Sequence, residues 1–153
     1  MAALRLSRLL ASGLLTGYAP LLPGTAGSLA AVLIGAGLMP LAPWALPAAA
    51  MLAAAGGIWA VGASGGTDDP GWVVIDEFAG QWTAMLALRR PTPAGLFAAF
   101  ALFRLIDIAK PGPVGWADRR KSTIGVMGDD LLAGLMAAGL LRAAQRRWPQ
   151  LLA

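Results

Sequence analysis

Between Arg8 and Asp68 the chain carries no Asp, Glu, Lys or Arg. A soluble domain has about a quarter of its residues charged. A gap of this length is enough to cross about 30 Å of hydrocarbon twice, at roughly 20 residues per pass. The remainder agrees: of 153 residues, 58% are hydrophobic and 13% charged, which fits one domain with a bilayer as its solvent. Met1 to Leu15 sets Arg5 and Arg8 in an apolar frame. No small-residue cleavage site leads from it into a polar chain, so the segment reads as retained.

Two absences narrow the chemistry. Without cysteine there is no disulfide, thiolate ligand or cysteine nucleophile. Without histidine there is no phosphohistidine intermediate and no histidine acid or base. Any catalysis rests on carboxylates, hydroxyls, Arg and Lys. The net charge of +4 comes from basic residues scattered singly or in pairs, without the interleaved aromatics of a nucleic-acid surface. Attraction to anionic lipid is the simpler reading, with no nucleic acid as partner.

The expected fold is all-α, a small polytopic helical membrane bundle forming one domain over 1–153. It has about four to five hydrophobic helices plus an N-terminal amphipathic helix. Leu4, Leu6, Leu9, Leu10 and Leu14 beside Arg5 and Arg8 suit a helix lying among headgroups. The Gly- and Pro-rich stretch Thr16 to Ser28 reads as a loop. Leu29 to Met39 and Ala48 to Ala63 form a helical hairpin around Pro40, Pro43 and Pro47. Trp72 to Leu88 has the length of a span but contains Asp76, Glu77 and Gln81. Ala94 to Ala109 follows, then a polar loop from Lys110 to Gly128 and a shorter helix from Asp129 to Leu141.

With these passes, all eight acidic residues fall at one face: Asp68, Asp69, Asp76, Glu77, Asp107, Asp118, Asp129 and Asp130. Lys110, Arg119, Arg120, Lys121 and the Arg5 and Arg8 pair share that face, so the positive-inside rule makes it cytoplasmic. Arg89, Arg90, Arg142, Arg146 and Arg147 land opposite and weigh the other way.

Carboxylates at membrane depth cost at least a few kcal/mol unless paired. Asp76 and Glu77 therefore call for a partner, either a divalent cation or a salt bridge to Arg104. Asp129 and Asp130 are two adjacent acids that suit metal ligation, or else the capping that Asp provides at helix starts. Arg104, Asp107 and Lys110 follow at i, i+3 and i+6. They form either a plain ion pair along one helix or a phosphate grip by Arg104 and Lys110 with Asp107 as ligand or water-orienting base. The Pro23 to Ser28 loop offers backbone amides and hydroxyls to an anion, or serves only as a turn before a helix; it lacks the lysine and spacing of a P-loop.

Three runs resemble the phosphatidylglycerophosphatase A family: TGYAPLLPGTAGSLAAVLIG at 16–35, DDPGWVVIDEFAGQW at 68–82, and FRLIDIAKPGPVGWADRRKSTIGVMGDDLLAG at 103–134. The resemblance covers most of the chain in the expected order. It marks as family-typical Pro23, Gly24, Thr25 and Gly27; Asp76, Glu77 and Gly80; Arg104, Asp107, Lys110 and Pro111; and Asp118, Arg119, Gly125, Asp129 and Asp130. Gly112 stands where the family often has Trp, and Ser122-Thr123 where a glycine pair is common. Both departures bear on loop geometry rather than on the carboxylates.

The resemblance implies magnesium-dependent hydrolysis of phosphatidylglycerophosphate to phosphatidylglycerol at the bacterial inner membrane; the helix passes and the charge distribution make this a multi-pass protein whose active face is expected to be cytoplasmic. In that scheme Asp76, Glu77, Asp129 and Asp130 are the metal ligands and, with Asp107, the catalytic set. Gly24, Thr25, Gly27, Arg104, Lys110 and Arg119 are the phosphate-binding residues. Direct attack by water is preferred to an aspartyl-phosphate route, since no DxDx[TV] stretch is present. A CDP-alcohol headgroup transferase is disfavoured because its DGxxAR and GxxxDxxxD pattern is missing. A non-enzymatic membrane transporter or assembly subunit, its buried charges forming ion pairs, is the alternative.

Overall fold

Proline and hydroxyl side chains set where the helices begin. The computed structural model describes residues 2–149, and among these every regular element is helical. After α1 (Ala2–Ala11) and a single 3-10 turn (Thr16–Tyr18), α2 (Pro23–Leu38) opens with proline in its first turn. There the missing N–H costs nothing, because the first amides of a helix have no intrahelical acceptor. The same device opens α5 (Pro93–Ala109), where the Thr92 hydroxyl also accepts from the Gly95 amide at 3.2 Å. It opens α6 (Pro113–Asp118) as well. At α7 (Thr123–Arg147) the cap is Ser122, whose Oγ accepts from Gly125 N at 3.1 Å. The set is completed by α3 (Ala45–Ser64), closed by Gly65 at φ 77°, and α4 (Ile75–Met85).

Several expected boundaries move. Pro23 to Ser28 is the start of α2 rather than loop, because Pro23 initiates a helix there. The Trp72–Leu88 segment is helical only over eleven residues, about 16 Å and too short to span. Asp129 and Asp130 do not open the last helix: Ser122 starts it earlier, and Gly125 and Gly128 are helical. A capping role for these two acids is therefore excluded. The loop from Lys110 contains α6. Two helices, α3 and α7, are long and apolar enough to cross a bilayer, while α2 is apolar but shorter.

Cross-contacts fix the helix directions. Gly80 of α4 abuts the Asp130 carbonyl, Gly134 abuts Gly80 and Thr83, and farther along Gln145 Nε2 donates to Ala87 O at 3.0 Å. The two helices thus run parallel. On another side of α4, Ser28 reaches Glu77, and Trp82 Nε1 donates to Ala31 O at 2.8 Å, so α2 is parallel too. Gly57 lies against Met127 and Gly62 against Thr123, which makes α3 antiparallel to α7. With Phe103 against Gly80 and Arg104 on Glu77, α5 is antiparallel to α4. The outcome is a central α4 wrapped by α2, α3, α5 and α7, with the starts of α2, α4 and α7 and the end of α5 meeting at one end.

Around an apolar core, large apolar side chains also cover the outside, while several acids lie within. Leu33, Met51, Leu52, Phe97 and Leu105 are exposed, whereas Gln81, Asp76, Asp107, Asp129 and Asp130 are buried. Water would penalise so much exposed apolar surface, and a bilayer accepts it. N-terminal α1 packs on α3, and its end is tied down by Val74 N donating to Ala11 O at 2.9 Å.

The α4 and α7 backbones touch because Gly80 and Gly134 have no side chains. A Cβ on Gly80 would sit 2.5 Å from the Asp130 carbonyl oxygen and 2.6 Å from the Phe103 ring. Gly80→Ala is therefore expected to lose about 1–3 kcal/mol, measured as a lowered unfolding midpoint in detergent. An unchanged midpoint would mean that the helices separate freely.

Candidate active site

At the end where α2, α4, α5 and α7 meet lies a cavity of about 350 Å³. Its wall holds six acids, Asp69, Asp76, Glu77, Asp107, Asp129 and Asp130, against two bases, Arg104 and Lys110. The crossing of α4 and α7 explains part of the gathering. Asp76 stands one turn before Gly80 and Asp130 one turn before Gly134, so the parallel approach of the glycines carries both acids to the same point. Asp107 arrives from the last turn of α5.

The two bases are already committed. Arg104 Nη1 pairs with Asp107 at 2.7 Å and with Glu77 at 3.3 Å. Lys110, held in the left-handed region at φ 45°, bonds Asp129 at 2.8 Å and also Asp118. Partial burial works against the Lys110 charge, but hydrogen bonds from its ammonium to Asp118 and Asp129 outweigh this and hold its pKa above the ordinary value. Glu77 additionally accepts from Ser28 Oγ at 3.4 Å. Glu77 thus makes the salt bridge to Arg104 and at the same time sits beside Asp76 and Asp130.

Among the described residues Asp76 and Asp130 have no basic partner. Asp76 Oδ1 accepts only from the neighbouring Glu77 amide, at 3.0 Å. The Asp130 residue is 3% exposed and its Oδ2 has no hydrogen-bond partner among the described residues. Two triads have carboxylate oxygens mutually within 4.8 Å, Asp76–Glu77–Asp130 and Asp107–Asp129–Asp130. Asp130 belongs to both. Excess buried negative charge, an orphaned oxygen and an all-carboxylate donor set suit a hard divalent cation.

Gly24 makes room for this arrangement. A Cβ there would collide with Glu77 Oε1 and lie 3.3 Å from Arg104 Nη2. The Gly24 and Thr25 amides, in the first turn of α2, have no intrahelical acceptor and edge the cavity. Not every expected residue arrives. Gly27 is buried against Val74 and serves packing. Arg119 is exposed outside the cavity, with its guanidinium near Gly115. Conversely Asp69, in the loop before α4 and assigned no role from the sequence, lines the cavity; its backbone is left-handed at φ 53°, which is invisible in sequence.

The phosphatidylglycerophosphatase A family profile matches residues 9–145. The phosphatidylglycerophosphatase A of Escherichia coli (strain K12) is 38% identical over 146 residues, covering 92% of this chain and 84% of that protein. The Haemophilus influenzae protein of the same name is 34% identical over 142 residues, covering 90% and 87%. A Bacteroides thetaiotaomicron protein, provisionally described as a phosphatidylinositol-3-phosphatase, is 39% identical over 153 residues, covering 92% of each. No solved structure matches at a significant level. With the profile spanning nearly the whole chain and these relatives covered almost end to end, the chain belongs to the phosphatidylglycerophosphatase A family.

Proposed function

We propose that the protein hydrolyses phosphatidylglycerophosphate to phosphatidylglycerol and inorganic phosphate, with magnesium held by the carboxylates of the cavity. The observation that carries the chemistry is the orphaned, buried Asp130 carboxylate shared between two acidic triads. Family membership supplies the reaction class and the lipid substrate. Asp76, Glu77, Asp129 and Asp130 are the proposed ligands, with Asp107 assisting. Once bound, the cation supplies charge neutralisation and Lewis acidity toward phosphoryl oxygens.

The chain's own groups do the rest. Arg104 grips substrate phosphate oxygens in exchange for part of its hold on Glu77 and Asp107. Lys110 neutralises charge from the other side, and the free amides of Gly24 and Thr25 offer donors at the positive end of α2. Asp107, pinned by Arg104, orients the attacking water. Its oxygen forms the new bond to phosphorus as the ester bond to the glycerol oxygen breaks; the water gives up a proton to a cavity carboxylate, and the departing glycerol oxygen takes up a proton from solvent. We place α2, α3, α5 and α7 through the bacterial inner membrane, α4 inside the bundle, α1 at the headgroups, and the cavity on the cytoplasmic face.

Purified protein in detergent is expected to release phosphate from phosphatidylglycerophosphate with magnesium and not with chelator, and more slowly from phosphatidylinositol 3-phosphate. Glu77→Gln and Asp130→Asn should each lose at least about 100-fold in kcat. Absence of release from folded wild-type protein would overturn the assignment and favour the transporter or subunit reading.

Metal binding has its own readout. At magnesium concentrations about 100 times the dissociation constant, the unfolding free energy should rise by about 2.7 kcal/mol. The rise should vanish in Asp130→Asn, and a metal-insensitive wild-type midpoint would remove the cation from the scheme. Gly24→Ala should push the Glu77 carboxylate aside and lower kcat by on the order of 100-fold with little change in the unfolding midpoint. Unaltered turnover would show that Glu77's position is not critical.

A further inference from the structure

A second cavity, of about 490 Å³, lies where α4 and α7 end. The Leu86–Leu88 segment and Arg89 form one wall, and Arg142, Gln145 and Arg146 the other. Gln145 ties the walls together through its bond to Ala87 O, 3.0 Å long. Arg142 and Arg146 are one turn apart on α7 and so share a face. No acid lines this cavity, and none of its three arginines forms an ion pair among the described residues. Asp130, the nearest acid on α7, is twelve residues before Arg142, about 18 Å along the axis.

Basic residues near helix ends commonly offset the negative pole of the dipole. Each pole amounts to about half a unit charge, and the positive start of α5 lies close by in sequence at Pro93. Three guanidinium groups exceed that need. All three are exposed, and like charges gathered around one concavity favour an anion between them; their planar forks suit phosphate oxygens. Trp148, 54% exposed, follows Arg147 beside this cavity, as aromatic residues do at headgroup depth.

We propose that this cavity binds the phosphate group of an anionic phospholipid in the leaflet opposite the catalytic end. The inference rests on the transmembrane placement and is independent of the phosphatase assignment. Inorganic phosphate offers similar oxygens, so the test must separate the two sources.

Native mass spectrometry of the detergent-solubilised protein, titrated with phosphatidylglycerol, phosphatidylcholine or inorganic phosphate, reads this directly. Wild type is expected to retain one phosphatidylglycerol in preference to phosphatidylcholine. The Arg142→Gln/Arg146→Gln double variant should bind it on the order of 30-fold more weakly. Arg142→Lys/Arg146→Lys should keep most of the affinity, and Arg90→Gln, which does not line the cavity, should keep all of it. Phosphate release in detergent should be unaltered in the double Gln variant. Should that variant not fold, Arg89→Gln gives the same comparison at a single position. Equal retention in wild type and variants overturns the site. Inorganic phosphate binding as tightly as the lipid, and lost in the same variants, overturns the lipid as its ligand.

Discussion

The contact between Gly80 and Gly134 is the constraint on which the rest depends. Two helices carrying ordinary side chains lie 8–10 Å apart. Here the α4 backbone touches the α7 backbone directly, with nothing between Gly80 and the Asp130 carbonyl. Because the helices run parallel, the position one turn toward the start of each is brought together as well, and those positions hold Asp76 and Asp130. The site is thus a consequence of packing: two acids at fixed distance from two glycines, in a parallel pair. The same contact makes α4 the central element, since a short helix gripped on one side by α7 leaves its other faces to α2, α3 and α5.

Gathering acids this way carries a cost that the protein itself only partly offsets. Arg104 and Lys110 answer Glu77, Asp107, Asp118 and Asp129, leaving Asp76 and Asp130 without a positive partner among the described residues. A buried carboxylate with no partner is among the least favourable groups in a protein interior, so the arrangement makes sense as a receptor for charge. The apolar outer surface strengthens the argument. In a bilayer the surroundings offer the acids no water, and the cavity mouth among the helix starts is their route to solvent and ions.

Much of this was legible in the sequence, for identifiable reasons. The uncharged stretch from 9 to 67 and the prolines at 40, 43 and 47 give the hairpin of α2 and α3. Asp76, Glu77, Asp107, Asp129 and Asp130 stood out because acids inside apolar runs are rare, and the structure brings all five to one cavity. What could not be read was set by tertiary contact. Gly125 and Gly128 look like loop residues, but Gly125 fits tightly over the Arg120 carbonyl and the helix runs through it. Asp69 reaches the cavity by a left-handed backbone turn at a non-glycine residue, which no local pattern encodes. Arg119 sits in a family-typical run, but the short α6 turns it outward.

Charge along the bundle axis is uneven. The segments at the far end, 86–92 and 142–149, hold Arg89, Arg90, Arg142, Arg146 and Arg147 and no acid, while all eight acids lie between Asp68 and Asp130. Counting charges in loops alone therefore leaves the orientation contested, because arginines stand at both ends. In the proposed arrangement the acid-lined end faces the cytoplasm, and anionic headgroups at the opposite surface would answer the arginines at the other end.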